Sequence, residues 1–177
     1  IKWTIYSDGT TDVHVEAKKD PVFPVLPRFG LRLFLPESFA ELTYCGLGPV
    51  ESYVDKHQAS YHGVFHCTPA EQQEDYIRPQ ENGSHYDCDY ASLASDRAVL
   101  TAVGEKTFSF QASIYTQEEL TAKAHNYELR PCGSTVFCID YRQAGIGSAS
   151  CGPMLLEKYQ LKETEISFDV RLKPELL

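Results

Sequence analysis

The sequence predicts an all-β domain that carries one short helix, and three observations lead there. Apolar residues recur mostly with a period of two rather than 3.6, the spacing of strands with one buried face. Pro21, Pro24, Pro27 and Pro36 punctuate the first quarter of the chain and forbid a long helix there. A single stretch, opening at Thr116-Gln117-Glu118-Glu119, carries a helix-start signature.

Taken in order, Trp3 and Ile5 alternate before Asp8-Gly9, and Val13, Val15 and Ala17 alternate after it. Glycine tolerates the positive φ of a tight turn, so this segment predicts a hairpin. The proline-rich stretch 20–27 is the one candidate internal boundary and reads as a strand-to-strand connection. Phe29, Leu31, Leu33 and Leu35 form the next alternating strand, Val64-Phe65 suits another, and Asp87 and Asp89 alternate on a further strand-like stretch. Val99, Thr101 and Val103 precede Gly104-Glu105-Lys106, which reads as a turn, with Phe108 and Phe110 beyond it. The Thr116 hydroxyl and Glu119 fit a capping box for a helix of about two turns, near 117–125, that His125 finishes. The β-formers of "STVFCIDY" (134–141) predict a buried strand, and Ile166, Phe168, Val170 and Leu172 a last alternating one.

At 177 residues the chain fits one domain able to bury a core. Its net charge of −9 argues against nucleic acid and anionic membrane surfaces, which need clustered Lys and Arg. No apolar run approaches the ~20 residues that cross a bilayer. The chain opens on Ile1, and its only methionine is Met154, so it reads as part of a longer polypeptide. Six cysteines, at 45, 67, 88, 132, 138 and 151, include no C-x-x-C pair. They read as free, mostly buried thiols in a reducing compartment.

Local chemistry gives no self-contained catalytic signature. "HGVFHC" brings His62, His66 and Cys67 together, with His57 nearby, but on a strand His62 and His66 stand about 13 Å apart. The glutamate of a zinc-binding H-E-x-x-H helix is absent, so these read as surface or packing histidines, and no metal site is assigned. Glu71, Glu74 and Asp75 read as a solvated face. A nucleophilic Cys151 would need a base, for which His125 is the candidate; the plainer reading is a small thiol in a Gly- and Ser-rich loop.

Several stretches then carry a family resemblance. "CGLGPVESYVD" (45–55) resembles the G-x-GP-x-E-x-Y-x-D signature near the C-terminus of glycoside hydrolase family 2 β-galactosidases. "YIRPQENGSHYD" (76–87) resembles that family's Y-x-x-PQE-x-G segment, and "FSFQASIYTQEELTAKAHNYEL" (108–129) its stretch before a short helix and histidine. "FCIDYRQAGIGSASCGPMLLEKYQL" (137–161) is similar to its ID-x-x-x-x-G-x-G block and GP…Y-x-L tail, and "LPRFGLRLFLPESF" (26–39) to the strand leading into the first signature. The matches are in register through most of the chain.

The resemblance implies a large antiparallel β-sandwich, a supersandwich similar in fold to galactose mutarotase, with residues 1–177 as the second half of the small-chain domain. The parent would be a retaining, cytoplasmic β-galactosidase, a homo-oligomer acting on terminal β-galactosides such as lactose. Its catalytic glutamates would sit on a central barrel, and its magnesium and sodium ligands largely in other domains, so no catalytic residue and no cofactor is assigned to this chain. This domain would pack on the remaining domains and shape the active-site rim. The loop 145–153 is its expected approach to substrate, with Ser150, Cys151 and Gly152 as candidates. Where relatives carry D-S-W, this chain has Ala149-Ser150-Cys151, so Cys151 stands in the place of a sugar-stacking tryptophan and is expected at the edge facing the barrel. Two other readings are a stand-alone carbohydrate-binding module and an aldose 1-epimerase, the latter from shared fold alone with His125 and Asp140 as acid and base. Against the epimerase reading, Asp140 would cap a turn or pair inside the sandwich.

Overall fold

The computed structural model describes residues 1–146 and 152–177. Among them nine strands and one short helix follow the chain: β1 (Lys2–Ile5), β2 (Thr11–Lys18), β3 (Arg28–Pro36), β4 (Glu41–Gly48), β5 (Tyr61–Cys67), β6 (Ser84–Ala94), β7 (Ala98–Ser113), α1 (Gln117–Ala122), β8 (Ser134–Gln143) and β9 (Glu165–Leu176). Every strand pairing is antiparallel, so the fold is the all-β class that the period-two pattern predicts, consistent with the sandwich that the resemblance implies.

The sheet branches at β7. Along one path the strands run β1-β2-β9-β7-β6-β4-β5, while β8 joins β7 to β3. β7 pairs with β9 from Ala98 to Gly104 and with β8 from Ser109 to Ser113. The segment read as a turn at Gly104-Glu105-Lys106 is therefore a bend inside one continuous strand, where it changes partners. Gly104 permits the bend, because a Cβ there would lie 2.2 Å from the Lys106 carbonyl oxygen. Opposite it, β6 shifts register between His85 and Tyr90, with Asp87 at φ 56°, so the two strands bow together.

Alternation fills the core from six strands. Val13 and Val15, Leu42 and Tyr44, Ala91 and Leu93, Phe108 and Phe110, Phe137 and Ile139, and Phe168, Val170 and Leu172 pack into one cluster, with Leu31, Leu33 and Leu35 of β3 half-buried against it. The β1–β2 hairpin closes around Gly9 at φ 84° as expected, but Trp3 and Ile5 on β1 are exposed.

Helix α1 starts where the capping signature places it, and Glu119 N–H donates to Thr116 Oγ1 at 3.1 Å. The Glu119 carboxylate accepts from Arg130 N–H instead of closing the box. The helix ends at Ala122, because Lys123 is extended at ψ 143°. His125 thus opens a separate 3₁₀ turn over Asn126–Glu128 rather than finishing α1, with its N–H and that of Ala124 donating to Glu128 Oε2.

Candidate functional site: the root of the 145–153 loop

The segments that carry the family resemblance lie far apart in sequence and meet at one end of the sheet. Glu51 is the hub. Its carboxylate accepts from Gly83 N–H at 2.9 Å, from Tyr53 Oη at 3.2 Å, and from Lys56 Nζ and Tyr76 Oη. Burial pushes the Glu51 carboxyl up, but the Lys56, Tyr76 and Gly83 donors outweigh it and hold the group below the usual carboxylate range. One buried anion thereby ties the 45–55 segment to the 76–87 segment.

A second buried network lies beside the first. Arg28, at the start of β3, reaches both oxygens of Asp140 on β8 and donates to Glu81 Oε2 at 3.1 Å and Gln111 Oε1 at 3.2 Å. Gln111 returns a donor to Glu81 Oε1 at 3.1 Å, and Gln117 of α1 donates to Gln111. Burial pushes Asp140 and Glu81 up, and the Arg28 guanidinium draws both back. Asp140 therefore pairs inside the sandwich, as the plainer reading had it. His125 is exposed, stacked on Tyr127 at a centroid distance of 5.1 Å, and shares no partner with Asp140.

These networks lie beside residues 143–146. Ile146 N–H donates to Asp55 Oδ1 at 3.0 Å, and Gly145 N–H to the Tyr159 carbonyl at 3.0 Å. A Cβ on Gly145 would lie 2.4 Å from Asp55 Cγ, so only glycine lets the carboxylate tuck under the chain. Gln143, just before, accepts from Ser84 Oγ at 2.9 Å. Asp55 of the 45–55 segment and Gly145 of the 137–161 segment thus fix the chain where it leaves β8. Beside Glu51, Val50 and residues 56–60 with Glu74 and Tyr76 line a cleft of about 280 Å³. Ser150 and Cys151, with the expected edge position of Cys151, lie outside the described residues; Gly152 is exposed.

Sequence reading missed Arg28, Lys56 and Glu81 as organising residues, and it gave Glu51 and Asp55 no role beyond their motif letters. The Glu51, Glu81 and Asp140 carboxylates are held by Lys56, Arg28 and the Gly83 N–H. The five described cysteines are free, and two of them, Cys88 and Cys138, are buried. Burial pushes the Cys138 thiol up to about 12 and the Cys67 thiol up to about 11, the opposite of an activated nucleophile.

A family model described as "Beta galactosidase small chain" matches residues 1–172. The chain belongs to the β-galactosidase small-chain family. A β-galactosidase of Actinobacillus pleuropneumoniae is 46% identical over 96% of this chain, and one of Staphylococcus xylosus 39% identical over 98%. A Kluyveromyces lactis β-galactosidase is 28% identical over 97%. The chain spans 17% of the length of each. The buried networks therefore lie in a segment that corresponds to a small part of those longer β-galactosidases. Among the described residues, no helix is long and apolar enough to cross a membrane.

Proposed function

We propose that this small-chain domain is the non-catalytic rim of a retaining β-galactosidase acting on terminal β-galactosides, packing on the enzyme's other domains and presenting the 145–153 loop to the substrate pocket. It forms the second half of the small-chain sandwich, within a cytoplasmic homo-oligomer; the free thiols suit a reducing compartment. The observation that carries the reading is the Asp55 clasp on Gly145–Ile146, through which one signature segment sets the root of the loop in another. Rigid support of this kind is what a specificity loop needs, since small displacements of a positioning group carry large losses in rate.

Two measurements test the proposal. In the complete enzyme, Asp55→Asn removes the clasp acceptor charge and is expected to raise KM for a chromogenic galactoside several-fold, with a smaller change in kcat. An unchanged KM would sink the rim reading. The chain alone, at high concentration, is expected to give no turnover; steady hydrolysis scaling with purified chain would show that chemistry resides here. Calorimetric titration of the chain with galactose and lactose separates a binding module, which would bind tightly alone, from a rim that needs its barrel.

A further inference from the structure

The outer face of the β4–β5–β6 ribbon carries a cluster that the loop does not use. Cys45 lies on β4, His62 on β5 and Asp89 on β6. The β4–β5 register sets Cys45 opposite Val64 and Leu47 opposite His62, so His62 and Cys45 are diagonal neighbours on one face. On the other side Cys45 faces Tyr90, and Asp89, next to it on β6, lies at the register shift between Cys88 and Tyr90, where β7 carries the extra residues. Cys45 Sγ stands 3.4 Å from Asp89 Oδ2, and His62 Nε2 stands 3.4 Å from the same oxygen. One donor atom from each residue falls within 4.8 Å of the others.

We infer that Cys45, His62 and Asp89 form a binding site for a divalent cation of the zinc class. The geometry is the argument. With metal–sulfur bonds of about 2.3 Å and metal–nitrogen and metal–oxygen bonds of about 2.0–2.1 Å, the edges of a tetrahedral site run about 3.3–3.6 Å. Two of the three edges already have that length. The third closes by rotation of the His62 and Asp89 side chains, both half-exposed. The fourth position faces solvent and takes a water, as in zinc sites with three protein ligands. A thiolate and an imidazole select zinc or cobalt and reject magnesium, which takes oxygen ligands in an octahedron. On binding, the metal replaces the Cys45 thiol proton, which leaves to solvent. Three adjacent strands are then joined through one ion, which pins the terminal strand β5 to the body of the sheet.

Sequence order hides this site. His62 looks paired with His66, yet His66 hydrogen-bonds Thr43 at 2.9 Å, and the partners of His62 come from residues 45 and 89.

The test is titration of the reduced chain with Co²⁺ alone, read at the near-ultraviolet thiolate-to-cobalt charge-transfer band. The band is expected to saturate, to disappear on adding Zn²⁺ and to persist with Mg²⁺. Cys45→Ser should abolish it, and Asp89→Asn and His62→Ala should each weaken binding tenfold or more. Cys132→Ser, which alters an exposed thiol elsewhere, should leave it intact. Circular dichroism of each variant confirms that it is folded, and serine at an outer-face position is a conservative replacement. Absence of a band, its survival in Cys45→Ser, its loss in Cys132→Ser, or unchanged affinity in both His62→Ala and Asp89→Asn would each overturn the assignment.

Discussion

Arg28 shows how one side chain can hold several motifs in place. It supplies the only guanidinium among the described contacts of Asp140 and Glu81, two carboxylates that burial pushes toward the neutral form. Removing the cation alone leaves both without a counter-charge, and breaking a buried pair in this way costs about 3–5 kcal/mol. Arg28→Met is therefore expected to lower unfolding free energy by about that amount, read from urea titrations at neutral pH. Arg28→Met combined with Asp140→Leu should lose much less than the sum of the single losses, because the pair is then replaced by apolar volume. Simple additivity would show that the two side chains are not coupled. None of this was legible from local sequence. Arg28 lies 53 residues from Glu81 and 112 from Asp140, and no spacing rule joins positions that only a β3–β8 register brings together.

At the scale of elements, sequence was most informative where one face is apolar and the other polar. In β9, Ile166, Phe168, Val170 and Leu172 are all buried and the residues between them exposed, so alternation alone placed the strand. It was least informative in β6, whose buried positions include Ser84 and His85 because that end of the strand builds the polar site rather than the core. Turn chemistry misled at Gly104-Glu105-Lys106, since the residues that favour a reversal also allow a strand to bend between two partners. Helix α1 was found by its cap, and the cap gives a prediction. Its first turn holds Arg32 of β3 through Glu118 at 2.9 Å and Gln117 at 3.0 Å, so fraying loosens that contact as well. Thr116→Ala is expected to cost about 1 kcal/mol, measured as a shift in urea midpoint at unchanged slope. Thr116→Ser should recover most of it, and equal losses in the two variants would show that the hydroxyl is not the cap.

The whole molecule responds to pH through opposing groups, and His85 sets the sign in one window. Its ring is buried beside Tyr44 and Phe110, at centroid distances of 4.2 and 5.3 Å, with Nδ1 donating to the Leu47 carbonyl at 3.0 Å. Burial pulls the imidazole down to about 4. A histidine that is harder to protonate when folded binds more protons in the unfolded chain between pH about 6.5 and about 4. Its contribution is complete above the unfolded value and is lost as pH falls through that window, amounting to about 3 kcal/mol at most. Exposed His14, raised by Asp169 and Glu16, acts in the other direction, losing its contribution as pH rises. Asp140 and Glu81, raised by burial, also favour the protonated side. The fall in net negative charge from −9 on acidification further relieves self-repulsion. The raw profile therefore mixes signs, and the informative quantity is the difference between two proteins. Subtracting the stability of His85→Gln from that of the unchanged chain, point by point from pH 7.5 to pH 4, is expected to give a curve that declines with acidification, at a slope approaching 1.4 kcal/mol per pH unit near its middle. A flat difference would mean that His85 is protonated as readily in the folded chain as in the unfolded one. The buried end of β6 would then be open to solvent.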